Sequence, residues 1–272
     1  MMKKLRNTLY FVLCFISFTL LSACGGNSGS VVTVAGSTSV QPFVELLSEN
    51  YEIFYPGRVV EVQGGGSSAG VMAAREGAAE IGMSSRPLRE NELDLWHIEI
   101  ARDGLAIIVH PNNPVYDITI EQLRAIYTGE ITNWSELGGN NARIHLFARE
   151  EGSGTRGAFE DMVMGEYRIT PRAMVQNTNG AVRQLVSNDR NAVGFVSLGM
   201  VDETIKSLSI NGITPTFENI DNETYELFRS FWLISAEEPV GASMDFISFV
   251  LSAEGRRVLT LEGLIPPPII TD

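Results

Sequence analysis

Four polar clusters in this chain carry groups that could hold a small anion: Gly36-Ser37-Thr38-Ser39, Gly64-Gly65-Gly66-Ser67-Ser68-Ala69-Gly70, Ser84-Ser85-Arg86-Pro87, and Arg149-Glu150-Glu151-Gly152-Ser153-Gly154-Thr155-Arg156. Three of them, the first, second and fourth, follow an apolar run and open a helical pattern. Such a junction presents unpaired first-turn amides, and the helix dipole adds positive potential there. The fourth cluster is the sharpest. The Arg149 guanidinium is a planar fork suited to two oxygens of a tetrahedral ion, and the amides and hydroxyls of Ser153, Gly154 and Thr155 sit at the helix start beside it. Glu151 is placed to pair with Arg149 and hold it, and Arg156 reads as structural or solvated.

The other clusters read more simply when taken alone. A single Ser or Thr cap is worth about 1 kcal/mol to a helix, but the three hydroxyls at 37–39 exceed what one cap needs. The glycines at 64–66 and 70 exceed what a turn needs, and glycine lets backbone amides approach a ligand closely. Ser85 ends a run at the same edge and is read as a contact, whereas Arg86 could equally face solvent, with Pro87 at a first helical position.

Competing chemistries fail on their residues. Gly64, Gly66 and Ala69 fit only a loose dinucleotide pattern, in which alanine stands at the third glycine and the next strand pattern ends in Ser84-Ser85 without an acidic residue to take a ribose. Val71 stands where a P-loop needs lysine. Ser153 lacks the Gly-x-Ser-x-Gly context of a nucleophile elbow because residue 151 is Glu, and His97, His110 and His145 are scattered, without zinc-ligand spacing. No metal, no cofactor and no enzymatic activity are expected.

The elements that must position these clusters alternate in type. Strand patterns at 31–35, 58–63 and 79–83 are followed by helical patterns at 40–54, 68–76 and 89–96. In the first helix Val40, Phe43, Val44 and Leu47 mark one apolar face. A strand at 105–109 runs into a turn-rich break at His110-Pro111-Asn112-Asn113-Pro114. Beyond it come a helix opening on the capping pattern Thr119-x-x-Gln122, a strand at 143–148, a helix from Thr155, a helix start at Asn179-Gly180 and a strand at 192–197. A strand at 231–235 and an amphipathic helix at 240–251 complete the pattern, and Pro266 to Pro268 forbid a regular finish.

This order implies an α/β fold of two lobes, each a mainly parallel sheet covered by helices and joined by two crossing strands. One lobe takes both ends of the chain (31–107 and 232–272) and the other takes the middle (108–231), with ligand in the crevice at the carboxyl ends of the strands.

The N-terminus reads as an address. Lys3, Lys4 and Arg6 precede an apolar stretch at 9–21 and then Leu21-Ser22-Ala23-Cys24, so residues 1–23 are expected to be a signal peptide and 24–30 a flexible tether. Its ending resembles a bacterial lipobox, which makes Cys24 the acylated first residue of a mature protein on the outer face of the cell membrane. Cys14 and Cys24 are the only cysteines, so the body has no disulfide. Net charge is −13 and falls further once three cationic residues leave with the signal peptide, and Lys206 is then the last lysine. That surface excludes nucleic acid as a partner. It does not exclude an anion, because buried donors act at hydrogen-bond range while distant charge is screened over roughly 8–10 Å.

In combination and order, AGSTSVQPF, QGGGSSAG, IGMSSRPL, ARDGLAIIV, ITNW, REEGSGTRGAFE, TNGAVRQLV and AVGFVSLG resemble the phosphate-specific solute-binding lipoproteins of bacterial ABC uptake systems. The resemblance spans essentially the mature chain. It implies a two-lobed periplasmic-binding-protein fold that closes over one dehydrated phosphate and presents it to a membrane permease. Carried over by motif, the ligand contacts are Thr38, Ser39, Ser67 and Ser85 from one lobe, and Arg149, Ser153, Gly154 and Thr155 from the other. Some members of the family have aspartate where Ser85 stands. Phosphate is therefore expected over sulfate, molybdate or tungstate on resemblance rather than on chemistry. A sensor or scavenger of phosphate, and a phosphatase-like enzyme using Ser153, are the alternative functions.

Overall fold

A computed structural model describes residues 31–268. The proposed signal peptide and Cys24 lie outside that range. Strand β1 (Val31–Gly36) is parallel to β2 (Val59–Gly64) on one side and to β3 (Ile81–Ser84) on the other. Helix α1 (Gln41–Phe54) follows β1 and α2 (Ser67–Arg75) follows β2. The apolar stripe read from the sequence is the buried face of α1: Val40, Phe43, Val44, Leu47 and Tyr51 are all inside. They pack with Val32, Val34, Ile81 and Met83 in one core. Fully burying a side chain of this size contributes about 1.5–3 kcal/mol.

The long strand β4 (Trp96–Val109) joins the two halves of the sheet. The helix expected at 89–96 is instead one short 3₁₀ turn, Glu90–Glu92. The Glu92 carboxylate is drawn back to the Arg86 guanidinium and the Arg89 amide, and from Trp96 the chain alternates as a strand. The last five residues of β4, Leu105 to Val109, are buried on both faces, as in a central strand.

In the second half, α3 (Ile120–Thr128) opens on a capping box in which Thr119 Oγ1 accepts from the Gln122 amide. Then come β5 (His145–Arg149), α4 (Gly154–Phe159, continuing as wider π turns to Met164), β6 (Met174–Gln176), α5 (Asn179–Asn188) and β7 (Ala192–Ser197). Strand β5 is parallel to both β6 and β7, and β7 is antiparallel to β4. Phe159 stacks on Phe195 with centroids 4.1 Å apart, and Tyr127 meets Phe159 edge-on, fastening α4 to the sheet.

The chain then returns. Strand β8 (Phe228–Ser235) runs antiparallel to both β4 and β3, and α6 (Ala242–Leu251) and α7 (Ala253–Leu261) pack in the same core as α1. The sequence pattern did not disclose α7. Its start is set by Ser252, whose Oγ accepts from the Gly255 amide directly after α6 ends. The sheet order is β2-β1-β3-β8-β4-β7-β5-β6. Parallel strands thus lie on both flanks, with β8 and β4 between them.

Where the start of β8 pairs with the middle of β4 lies a buried ion pair. Asp103 accepts from Arg229 Nη2 at 3.0 Å and from Ser197 Oγ at 2.7 Å. Burial pushes the Asp103 carboxyl up and the Arg229 guanidinium down, and the nearby charge of Arg149 lowers Arg229 further.

Candidate functional site

The loop after β1 owes its path to Gly36. It adopts φ +143°, and a Cβ there would strike the Met83 backbone, so glycine is needed where β1, β3 and α2 meet. Past it, the Gln41 amide donates to Ser37 O (2.9 Å), which starts the turn into α1 with Thr38 and Ser39 at its tip. The glycine-rich loop is used differently from the sequence reading. The amides of Gly65 and Gly66 both donate to Gly36 O, at 2.8 and 2.9 Å, and Gly70 has no room for a side chain against Gly36 and Ala35. The glycine surplus packs α2 onto the strands, and Ser67 is the polar group that this packing delivers.

Ser67 Oγ accepts from the Ser85 amide (3.1 Å) and lies 3.4 Å from Ser85 Oγ, while Ser37 Oγ donates to Ser85 Oγ at 2.8 Å. Three strand ends of the first half therefore converge on one hydroxyl cluster. From the second half, Gly154 faces that cluster at the start of α4. A Cβ at 154 would collide with both Ser67 Oγ and Ser85 Oγ, so glycine sets how closely the two halves approach. Ser39 Oγ and Thr155 Oγ1 are 2.6 Å apart across the same interface. A main-chain bond from the Ser68 amide to Gly152 O (3.1 Å) also joins the halves.

Arg149 is buried at the end of β5. Its Nε donates to Glu150 Oε2 (3.0 Å), and its Nη2 donates to Glu150 Oε1 (2.9 Å), Thr38 Oγ1 (3.1 Å) and Asn177 O (3.1 Å). Its Nη1 is buried without a partner. Burial lowers the Arg149 pKa, opposed by the Glu150 carboxylate. Glu150, and not the expected Glu151, is the paired acid, because the residue next to the end of β5 folds back beside the guanidinium.

Seven of the eight sequence candidates thus meet: Thr38, Ser39, Arg149 and Thr155 in one network, and Ser67 and Ser85 against Gly154. Ser153 plays a separate part. Its Oγ accepts from the Arg156 amide (3.3 Å) and caps α4. Arg156 is structural, donating to Arg149 O and to Glu160. Arg86, left open in the sequence, is buried against Glu92, whose carboxyl it holds below the usual range. The histidines stay apart: His145 pairs with Asp189, His110 accepts from the Asn112 amide, and His97 sits against Leu95 O. Among the described residues no group of three or more His, Cys, Asp or Glu could hold a metal ion.

Asn179 was not a sequence candidate, yet it is fully buried in the network. Its Nδ2 donates to Ser39 Oγ (2.8 Å) and lies 3.4 Å from Thr38 Oγ1. The available signal was the polar run Asn177-Thr178-Asn179 leading into α5, a fourth strand-to-helix junction. It was obscured because β6 is only 3 residues long.

Similarity to known proteins agrees with this architecture. A family model described as a PBP superfamily domain matches residues 23–254. The phosphate-binding protein PstS of Bacillus subtilis strain 168 is 28% identical, over 96% of this chain and 94% of that protein. Among solved structures, one described as a phosphate ABC transporter substrate-binding protein with bound phosphate, from Clostridium perfringens, is 40% identical with TM-score 0.85, covering 88% of this chain and all (100%) of that one. An ABC-type phosphate transport receptor from Vibrio cholerae is 38% identical with TM-score 0.73, covering 87% and 100%. With the sheet order and these extensive likenesses together, the chain belongs to the PBP superfamily, in its type II, PstS-type branch of solute-binding proteins.

Proposed function

We propose that this protein binds inorganic phosphate between its two halves and delivers it to the membrane permease of an ABC importer. The observation that carries the reading is the buried, partnerless Nη1 of Arg149 where helix starts from both halves converge. A guanidinium removed from water seeks an anionic partner, and hydroxyls already held in place cost little reorganisation on binding. The similarity to the phosphate-bound C. perfringens protein supports the choice of anion.

The proposed contacts are Thr38, Ser39, Ser67, Ser85, Arg149, Gly154 and Thr155, with Ser153 shaping the start of α4. We take the lobe boundaries to fall at 107/108 and 231/232, with closure hinged on β4 and β8. Micromolar affinity needs about 8 kcal/mol, and charge-assisted hydrogen bonds supply roughly 1.5–3 kcal/mol each before closure costs. Contacts from both lobes reach that figure where either alone falls short, so the ligand favours closure. The reading is of a carrier and not an enzyme: the Ser153 hydroxyl is engaged by a backbone amide, and no histidine is hydrogen-bonded to it.

Calorimetry with phosphate should give a saturating one-site isotherm, and cells lacking the protein should lose high-affinity phosphate uptake. Absence of heat with phosphate would end the phosphate reading, and intact uptake would leave a sensor or scavenger. Among the described residues no helix is long and apolar enough to cross a membrane. Attachment is proposed to rest on lipid at Cys24. The Cys24→Ser protein should move from the membrane to the soluble fraction on cell fractionation, and continued sedimentation with membranes would reject the anchor.

A further inference from the structure

Five side-chain polar atoms are buried without a hydrogen-bond partner among the described residues: Arg86 Nε, Arg149 Nη1, Asn179 Oδ1, Arg229 Nη1 and Trp232 Nε1. Four are donors. Asn179 Oδ1 is the single acceptor, and a buried orphan acceptor carries a desolvation cost that a ligand can relieve. Its position is telling, because Asn179 and Arg149 both donate to the Thr38 hydroxyl, through Nδ2 and Nη2. The two orphan atoms therefore belong to side chains that flank one hydroxyl, yet they do not bond to each other.

The polarity of the surrounding hydroxyls sharpens the contrast. Thr38 Oγ1 accepts from Arg149 and Asn179, so its own proton is free to donate. Ser85 Oγ accepts from Ser37, and its own proton can go to Ser67 Oγ, 3.4 Å away, or to a ligand. Ser39 accepts from Asn179 and shares a hydrogen bond with Thr155. The unpartnered atoms of this cluster are thus one donor, Arg149 Nη1, and one acceptor, Asn179 Oδ1. A ligand that satisfies both orphans must accept at one oxygen and donate from another.

We propose that Asn179 Oδ1 accepts the hydroxyl proton of a singly or doubly protonated tetrahedral oxyanion, and so makes Asn179 the residue that selects protonated anions (phosphate, arsenate) over unprotonated ones (sulfate, molybdate). This rests on the phosphate reading above and deepens it. Sulfate at neutral pH has no proton to give, so it leaves Oδ1 unpaired and brings an oxygen lone pair against it. That mismatch is a repulsive element of specificity, and buried polar groups left unpaired by the wrong ligand discriminate strongly.

The test is competition calorimetry at pH 7 on the full-length mature protein, with phosphate, arsenate, sulfate and molybdate, for the unaltered chain and for Asn179→Ala and Asn179→Asp. The expected result is a fall of at least tenfold in the phosphate-to-sulfate affinity ratio in Asn179→Ala, with sulfate binding unchanged or stronger. Asn179→Asp, which keeps an acceptor in nearly the same shape, should preserve the preference for phosphate even if one donor bond to Ser39 is lost. An equal loss for all four anions in Asn179→Ala would overturn the proposal and make Asn179 a purely structural donor. So would loss of the preference in a folded Asn179→Asp protein. If the unaltered chain binds phosphate and sulfate alike, selectivity by Asn179 is refuted while oxyanion binding stands. If it binds no phosphate, the functional reading itself fails. Thermal melts of both variants separate these outcomes from misfolding.

Discussion

Replacing Arg149 by alanine should lower phosphate affinity by at least tenfold, and a hundredfold loss is within reach, while the far-UV spectrum stays unchanged. The size follows from burial. An exposed arginine is worth little to a ligand because water competes for it, but Arg149 is 1% exposed and its Nη1 has no protein partner. A charge-assisted bond made under those conditions is worth about 1.5–3 kcal/mol, or roughly ten- to more than a hundredfold in affinity. Stability of the ligand-free protein should change much less. Burial already works against the charge, as its lowered pKa indicates, and Glu150 keeps part of its surface in water after the partner is gone. Arg149→Lys should not restore binding, since an ammonium cannot hold Glu150, Thr38 and a ligand from one plane. Affinity within twofold of the unaltered protein would remove Arg149 from the site.

Asp103→Ala should have the largest effect on stability. It leaves the Arg229 guanidinium buried between β4 and β8 with its countercharge gone, and breaking one side of a buried pair costs about 3–5 kcal/mol. For a chain of this size each kcal/mol lowers the melting temperature by about 2–4 °C, so a drop of roughly 6–20 °C is expected in ligand-free thermal melts. The paired change Asp103→Leu with Arg229→Met should regain most of that loss, because it removes both desolvation costs together. The sign of the pH effect follows from the raised Asp103 pKa. The folded chain holds this proton to higher pH than the unfolded chain, so the group's contribution to stability falls as pH rises from below the unfolded value to above the folded one. That slope should vanish in the paired variant. A melting point for Asp103→Ala within 2 °C or so of the unaltered protein would show that the pair does not hold β4 to β8.

Much of this architecture was legible because it rests on local rules. The Val40, Phe43, Val44, Leu47 stripe can bury only one face of a helix, and that face lies in the first core. Thr119 and Gln122 spell a capping box, which α3 has. Where the reading failed, a long-range partner overrode a local preference. Residues 89–96 had a helical look, but Glu92 answers to Arg86 and the strand from Trp96 answers to β8. Glu151 had a suitable charge for Arg149, but Glu150 has the geometry.

The sequence by itself determined that loops rich in hydroxyls, glycine and one arginine open helices in an acidic, cysteine-poor body, because capping, glycine freedom and hydrophobic period are properties of neighbouring residues. Only the tertiary structure decided which of those groups meet, that the glycines of 64–70 serve packing, and that Asn179 completes the cluster. Those facts depend on side chains brought together from positions up to 141 residues apart, and no local spacing encodes which donor will be left facing which acceptor once β4 and β8 bring the two halves into contact.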